Sequence, residues 1–247
     1  MGRLIILSGP SCVGKSPLDK AMGRFYPELR KKLQHLVLYN SREPRPGEKE
    51  GVDYYFRSRE YIQSLETHDR FAVMDVRGDL QALDIAELQK QLTTGHVFFE
   101  GNPFIGRVLQ THENLTQLDR LSIFMSPVSA DEIQYFSAPG NNQDFKSILT
   151  EMMRRKLLRR TQKQKGELSL KDLENIEKRA SSAFSELQEA YHFDYIIPNH
   201  DGEDSENWDA FYHPVGDARK SLLAFVGLLQ GKTPQHIETW EKELFEK

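Results

Sequence analysis

The chain has 247 residues, with 33 Lys+Arg against 37 Asp+Glu, a formal net charge of −4 and one cysteine. That length suits one large domain or two small ones with a real core, and the near balance of charge gives no whole-protein reason to expect nucleic-acid binding. A lone cysteine excludes an intramolecular disulfide framework and points to a reducing, cytoplasmic compartment; no apolar run approaches the roughly 18 residues of a membrane span, and Met1-Gly2-Arg3 leads into too short an apolar run for a signal peptide.

In chain order, the apolar run 4–7 stops at Ser8-Gly9-Pro10, as a buried parallel strand does before a turn. A helical pattern over 16–26 tolerates Pro17 in its first turn. Residues 36–39 read as a second strand, 40–51 as a loop dense in Pro, Gly and charge, and 59–67 as a helix. A helix over 85–94 stops at Gly95, Val97-Phe98-Phe99 is a third buried strand, 107–118 has helical character, and 121–125 is a fourth strand closed by Ser126-Pro127. The stretch 137–143 is the strongest loop candidate. Helices are expected over 145–160 and, after Gly166, over 168–191; Tyr195-Ile196-Ile197 is the last strand. The acidic stretch 201–206 reads as a surface loop, and a helix near 218–229 precedes a polar tail. Strands alternating with helices predict an α/β domain with a parallel sheet flanked by helices.

Gly9-Pro10-Ser11-Cys12-Val13-Gly14-Lys15-Ser16 fills every fixed position of G-x-x-x-x-G-K-[ST], after a strand and before a helix. Glycines let backbone N–H groups converge on an anion, and the helix N-terminus adds partial positive charge. Lys15 is placed to reach β and γ phosphates and the Ser16 hydroxyl to coordinate Mg²⁺. Cys12 occupies a free position of the loop and is assigned no role beyond a small side chain that fits. The eight histidines are scattered, and with one cysteine they offer no structural zinc spacing.

A second informative stretch runs from Ser41 to Phe56. Arg42 and Arg45, three residues apart, can fork a phosphate from two directions, and Tyr54 can add a third donor. Together with the phosphate loop, the stretch resembles the guanylate kinase family: Arg42, Pro44, Arg45, Gly47, Glu48, Gly51, Asp53, Tyr54 and Phe56 fall in register on its second signature. Val97-Phe98-Phe99-Glu100 is similar to the family's strand ending in an acid, residues 179–187 to its R-x-x-x-A-x-x-E-L helix, and Tyr195-Ile196-Ile197-Pro198-Asn199 to its last strand and Asn.

The resemblance covers residues 3–200 and implies a P-loop NTPase fold with a core of 3–39, 96–150 and 180–200, an acceptor-binding insertion over 40–95 and a helical lid over about 151–179, followed by a helical extension over 201–247. It implies ATP as donor, Mg²⁺, and a nucleoside monophosphate as acceptor. Arg42, Arg45 and Tyr54 would hold the acceptor's phosphate, Glu48 would orient the arginines, and Glu100 would face the metal. Arg159 or Arg160, with Arg179, would reach the transferring phosphoryl group alongside Lys15. The extension, with Trp208, Phe211, Tyr212 and Trp240, could pack back on the domain or form a homodimer contact, packing being the plainer expectation.

The base-reading positions depart from the family. Leu38 stands where a small hydroxyl residue is expected, and Asn102 where an acid is expected. Asp75 is the nearest candidate for the other acid, and Gln81 for a phosphate-binding tyrosine; Arg77, Asp79 and Gln81 offer a different donor and acceptor set. Three readings follow: a GMP kinase, a kinase of the same fold acting on another nucleotide or phosphorylated acceptor, and a silent module that binds protein partners. The intact phosphate loop favours the enzymes.

Overall fold

Strand β1 (Leu4–Ser8) is buried along its whole length, because a parallel strand with neighbours on both sides and helices on both faces has no surface to give to water. The computed structural model describes residues 2–45, 47–138 and 144–245. The phosphate loop follows β1 and opens α1 (Lys15–Phe25), then α2 (Pro27–Arg30). The expected strand over 36–39 is divided: β2 (Leu33–His35) joins the central sheet, and β3 (Leu38–Asn40) opens a second sheet with β4 (Tyr54–Phe56). After α3 (Arg59–Ser64), β5 (Phe71–Val76) and β6 (Asp79–Asp84) form a hairpin that the sequence does not announce. Its two central residues, Arg77 and Gly78, have φ of 60° and 84°, the positive values a tight hairpin turn needs. Arg in place of the usual Asn or Asp, and Asp75 in the apolar run, hide it.

Helix α4 (Ile85–Thr94) starts at Asp84, whose carboxylate accepts from Glu87 N–H at 3.0 Å. Then come β7 (His96–Gly101), α5 (Pro103–Thr111), β8 (Arg120–Ser126) and α6 (Ala130–Phe136). The helix expected over 107–118 starts earlier, at Pro103, because Asn102 caps it. The predicted loop at 137–143 lies outside the described residues from 139 on. The basic stretch is a 21-residue helix, α7 (Phe145–Lys165). The single helix expected over 168–191 is broken into α8 (Leu170–Ser181) and α9 (Ala183–Leu187) before β9 (Tyr195–Pro198) and α10 (Gly216–Leu229).

The central sheet has order β2-β7-β1-β8-β9, every neighbouring pair parallel. The second has order β4-β3-β6-β5 and carries the antiparallel hairpin. One face of the central sheet packs Ile5, Leu7 and Phe98 against α1 and against Leu222, Phe225 and Val226 of α10. Fully buried Phe98 and Phe225 lie 6.0 Å apart and are worth about 1.5–3 kcal/mol each in burial. Helix α10 is therefore part of the core. The tail packs back as well: Glu238 pairs with Ile196 in an antiparallel bridge, and Trp240 is buried in the main cluster. Among the described residues no helix is long and apolar enough to cross a membrane.

Candidate functional site

The phosphate loop turns on Gly9 and Gly14, at φ of 152° and 108°. Both are sterically required: a Cβ on Gly9 would stand 2.3 Å from the Met125 carbonyl oxygen, and one on Gly14 2.5 Å from Asn199 Nδ2. Lys15 folds back so that Nζ donates to the carbonyl oxygens of Gly9 (2.8 Å) and Pro10 (2.9 Å). Its burial pushes its pKa down, with Glu100, Glu203 and Glu186 pulling the other way. Cys12 is buried with φ of 68°, and burial pushes its thiol up to about 12, which leaves it an inert packing group.

Ser16 Oγ donates to Glu100 Oε1 at 2.7 Å, at the end of β7. Burial pushes the Glu100 carboxyl up to about 7, against the pull of Lys15 and the Ser16 hydrogen bond. A hydroxyl and a carboxylate in contact beside an anion loop form a hard-oxygen pair. That pair suits Mg²⁺, which takes one or two protein oxygens and completes its shell with water and phosphate. Among the described residues no group of three or more His, Cys, Asp or Glu forms a dedicated cage.

On the second sheet, Arg42 makes a two-pronged pair with Glu48, NH1 to Oε2 at 2.7 Å and NH2 to Oε1 at 2.6 Å. It lies 5.1 Å from the Tyr54 ring and 5.7 Å from that of Phe56. Glu48 also accepts from the Arg45 backbone N–H at 2.8 Å, so one carboxylate fixes both the arginine and the loop that carries it. Among the described residues the Arg45 side chain has only a distant contact with Glu48, at 4.0 Å.

Helices α7 and α8 bring further arginines over this cleft. Arg179 Nε donates to Ser11 Oγ at 3.0 Å. Burial disfavours its charge, and Arg160, Arg45 and Arg77 add repulsion. At Arg179 the repulsion from its neighbouring guanidiniums exceeds the pull of Glu203, a setting that favours a bound anion. Of the two candidates on α7, Arg160 points inward, its side chain 14% exposed, and Arg159 outward at 72%.

The guanylate kinase family model matches residues 1–156. The chain belongs to the guanylate kinase family. It is 33% identical to a guanylate kinase of Cereibacter sphaeroides over 156 residues, 63% of this chain and 72% of that one. It is 30% identical to one from Geobacter sulfurreducens over 224 residues, 90% and 89% of the two chains. A crystal structure of guanylate kinase from Anaplasma phagocytophilum superposes with a TM-score of 0.53 at 18% identity, covering 93% of this chain and 85% of that one. The architecture is thus the P-loop NTPase fold of that family.

Against the family pattern, the acceptor side reads differently. Leu38 is a core residue, 3% exposed. In the hairpin, Asp75 lies opposite Leu80, on the face that packs toward α3, where it meets Arg59 at 3.6 Å. Strand alternation accounts for this: Ala72, Met74 and Val76 share the face toward the main core, and Asp75 has the opposite one with Phe71 and Val73. Gln81, opposite Met74 and Asn40, is on the cleft-side face, 6% exposed, and its Oε1 is buried without a partner. Asn102 caps α5 through Phe104 N–H (2.9 Å), while its Nδ2 donates to Glu186 at 3.0 Å.

Two carboxylates beside the cleft are given no role by the sequence, although Glu186 lies in the 179–187 motif. Glu186, fully buried on α9, binds the Arg77 guanidinium and accepts from Ser182 Oγ at 2.9 Å, tying the hairpin tip to the helices of the core. Glu203 belongs to the stretch expected to be a surface loop away from the cleft. The structure corrects this: it pairs with Arg160 at 2.8 Å, beside the phosphate loop. Its only sequence signal is position, a short way after the last strand.

Proposed function

We propose that this chain transfers the γ-phosphoryl group of ATP to the phosphate of a nucleoside monophosphate. The observation that carries this reading is the placement of Arg179 on Ser11 of the phosphate loop and of Arg160 on Glu203 beside it, together with the Arg42–Glu48 loop. Phosphoryl transfer needs positioning and charge stabilisation more than covalent chemistry from the protein, and this arrangement supplies both. In this reading the P-loop backbone and Lys15 cradle the donor phosphates, and Lys15 must leave the Gly9 and Pro10 carbonyls to do so. Mg²⁺, held through Ser16 and Glu100, neutralises charge on the donor phosphates. Arg42, Arg45 and Tyr54 fix the acceptor phosphate, and Arg160 and Arg179 stabilise charge on the transferred group. Residues 40–95 then act as the acceptor region and 145–181 as the lid.

The names of the relatives point to GMP as acceptor. A second reading, another nucleotide or phosphorylated acceptor, is favoured by one observation: none of Leu38, Asp75 and Asn102 presents the hydrogen-bonding group the family uses on guanine. Sites built on hydrogen bonds discriminate steeply, so changed readers mean changed preference. A panel of nucleoside monophosphates and small phosphorylated acceptors, assayed for ADP formation with ATP and Mg²⁺, decides between them. Turnover of GMP far above all others removes the second reading; a different preferred acceptor removes the first. A protein that binds ATP and turns over nothing leaves the silent-module reading.

A further inference from the structure

The chain between β9 and α10, residues 199–215, forms a strap laid directly on the phosphate loop. Glu203 N–H donates to the Cys12 carbonyl oxygen at 3.1 Å, and Asn199 Nδ2 to that of Val13 at 2.7 Å. A Cβ on Gly202 would stand 2.3 Å from the Cys12 oxygen, so the approach is too close for any other residue. The strap is fixed from within: Asp201 accepts from Ser205 Oγ (2.8 Å), Asn207 Nδ2 (2.8 Å) and the Ala218 N–H at the start of α10 (3.0 Å). Trp208 Nε1 donates to the Asp201 carbonyl oxygen at 2.9 Å. This is a built element, held at both ends and in the middle.

Two of its carboxylates, Glu203 and Asp204, and the His200 carbonyl turn to α7. Lys156 Nζ donates to the His200 carbonyl oxygen at 2.5 Å, Arg159 lies 3.8 Å from Asp204, and Arg160 is 2.8 Å from Glu203. Lys156 and Asp204 are also buried but stand 4.0 Å apart, whereas Arg160 and Glu203, at 14% and 16% exposure, are in direct contact. Burial pushes the Glu203 carboxyl up, and Arg160, Lys15 and Arg179 outweigh it. The carboxylate therefore stands among the cations assigned above to the donor phosphates.

We propose that Glu203 is a positioning residue for phosphoryl transfer: anchored on the phosphate loop, it holds the Arg160 guanidinium at the mouth of that loop before nucleotide arrives. The proposal rests on the kinase reading. It carries two opposed effects in one side chain. The carboxylate preorganises the lid arginine, which speeds transfer, and it repels the triphosphate, which weakens donor binding.

The test measures ATP·Mg²⁺ affinity of the full-length protein by calorimetry, which needs no acceptor, together with turnover on the acceptor the panel identifies. Glu203→Gln should bind ATP more tightly, by up to about tenfold for one removed charge, and that gain should shrink when Arg160→Gln is added. Turnover should fall by about tenfold or more as Arg160 loses its anchor. Glu203→Asp keeps the charge but draws it back by one methylene. It should bind ATP like the wild type while turning over more slowly, so the proposal remains testable if the Gln variant folds poorly. ATP affinity that is unchanged or weaker in Glu203→Gln overturns the proposal, as does a parallel loss of affinity and turnover, the pattern of a merely structural residue. Wild-type protein that binds no ATP removes the kinase reading and this inference with it.

Discussion

At the donor end of the cleft, the anion-binding groups come from eight consecutive residues, Gly9 to Ser16, backed by one strand and one helix. At the proposed acceptor end, the Arg42–Glu48 loop is joined by groups from β3, the β5–β6 hairpin and the cap of α5, with neighbours drawn from α9. A phosphate is small, symmetric and charged, so backbone N–H groups of a single tight loop satisfy it. The rest of an acceptor has an individual outline and must be met by side chains from several elements. The donor end is thus a local structure and the acceptor end a tertiary one, and the two should respond differently to substitution.

The largest effect is expected at the donor end. Lys15→Ala removes the one mobile cation of the phosphate loop and should lower phosphoryl transfer by about 10³-fold or more with little change in melting temperature. The reading at this end breaks if the variant keeps wild-type rates in an ADP-formation assay. At the acceptor end the heaviest loss should be in stability. Arg77→Met strands the fully buried Glu186 carboxylate and should cost about 3–5 kcal/mol in urea unfolding. Pairing it with Glu186→Leu should recover much of that loss, because the penalty is an unpaired buried charge. A single variant as stable as the wild type would show that the hairpin tip is held by something else.

The two faces of the hairpin sharpen the contrast further. Gln81→Ala on the cleft side should raise the acceptor KM by about tenfold, the value of one hydrogen bond to a charged group. Asp75→Asn on the α3 side should leave acceptor KM where it is. Equal effects from both would undo the assignment of faces.

The smallest expected effect is a pH dependence centred on Glu100. Its folded pKa of about 7 lies above the ordinary 4.5. The unfolded chain releases this proton first, so between those values stability falls as pH rises, and the contribution is gone above about pH 7. Ser16 and Mg²⁺ call for the carboxylate, so the Mg²⁺ dependence of ATP affinity should weaken as pH drops below about 7. Glu100→Gln should flatten both profiles; a slope that survives in this variant places the titration on another group.

Tests of this kind matter because the sequence is legible in unequal degrees. The phosphate loop and the Arg42–Arg45 stretch announce themselves because each is a contiguous motif whose function follows from local geometry. The β5–β6 hairpin does not, since an Arg-Gly turn with positive φ at both residues is stabilised by Arg77 reaching Glu186, more than a hundred residues away. The side of the hairpin on which Asp75 lies depends on register, and one residue of shift exchanges the faces. Arg159 and Arg160 are indistinguishable as neighbours in a basic run; the packing of α7 turns one to solvent and the other to Glu203.

The sequence alone determined the alternation of strands and helices, the parallel central sheet, and the two loops proposed to handle phosphate. These rest on short-range periodicity, glycine geometry and the positive end of a helix. Tertiary structure decided what surrounds the phosphates. It folded an acidic stretch, indistinguishable in composition from a solvated loop, onto the Cys12 carbonyl, and so placed Glu203 among the cations of the cleft. A nearly neutral chain of charge −4 carries a concentrated cationic cleft with a carboxylate set inside it. Charge along a sequence is a sum, whereas charge in a site depends on which distant segments the fold brings within a few ångströms.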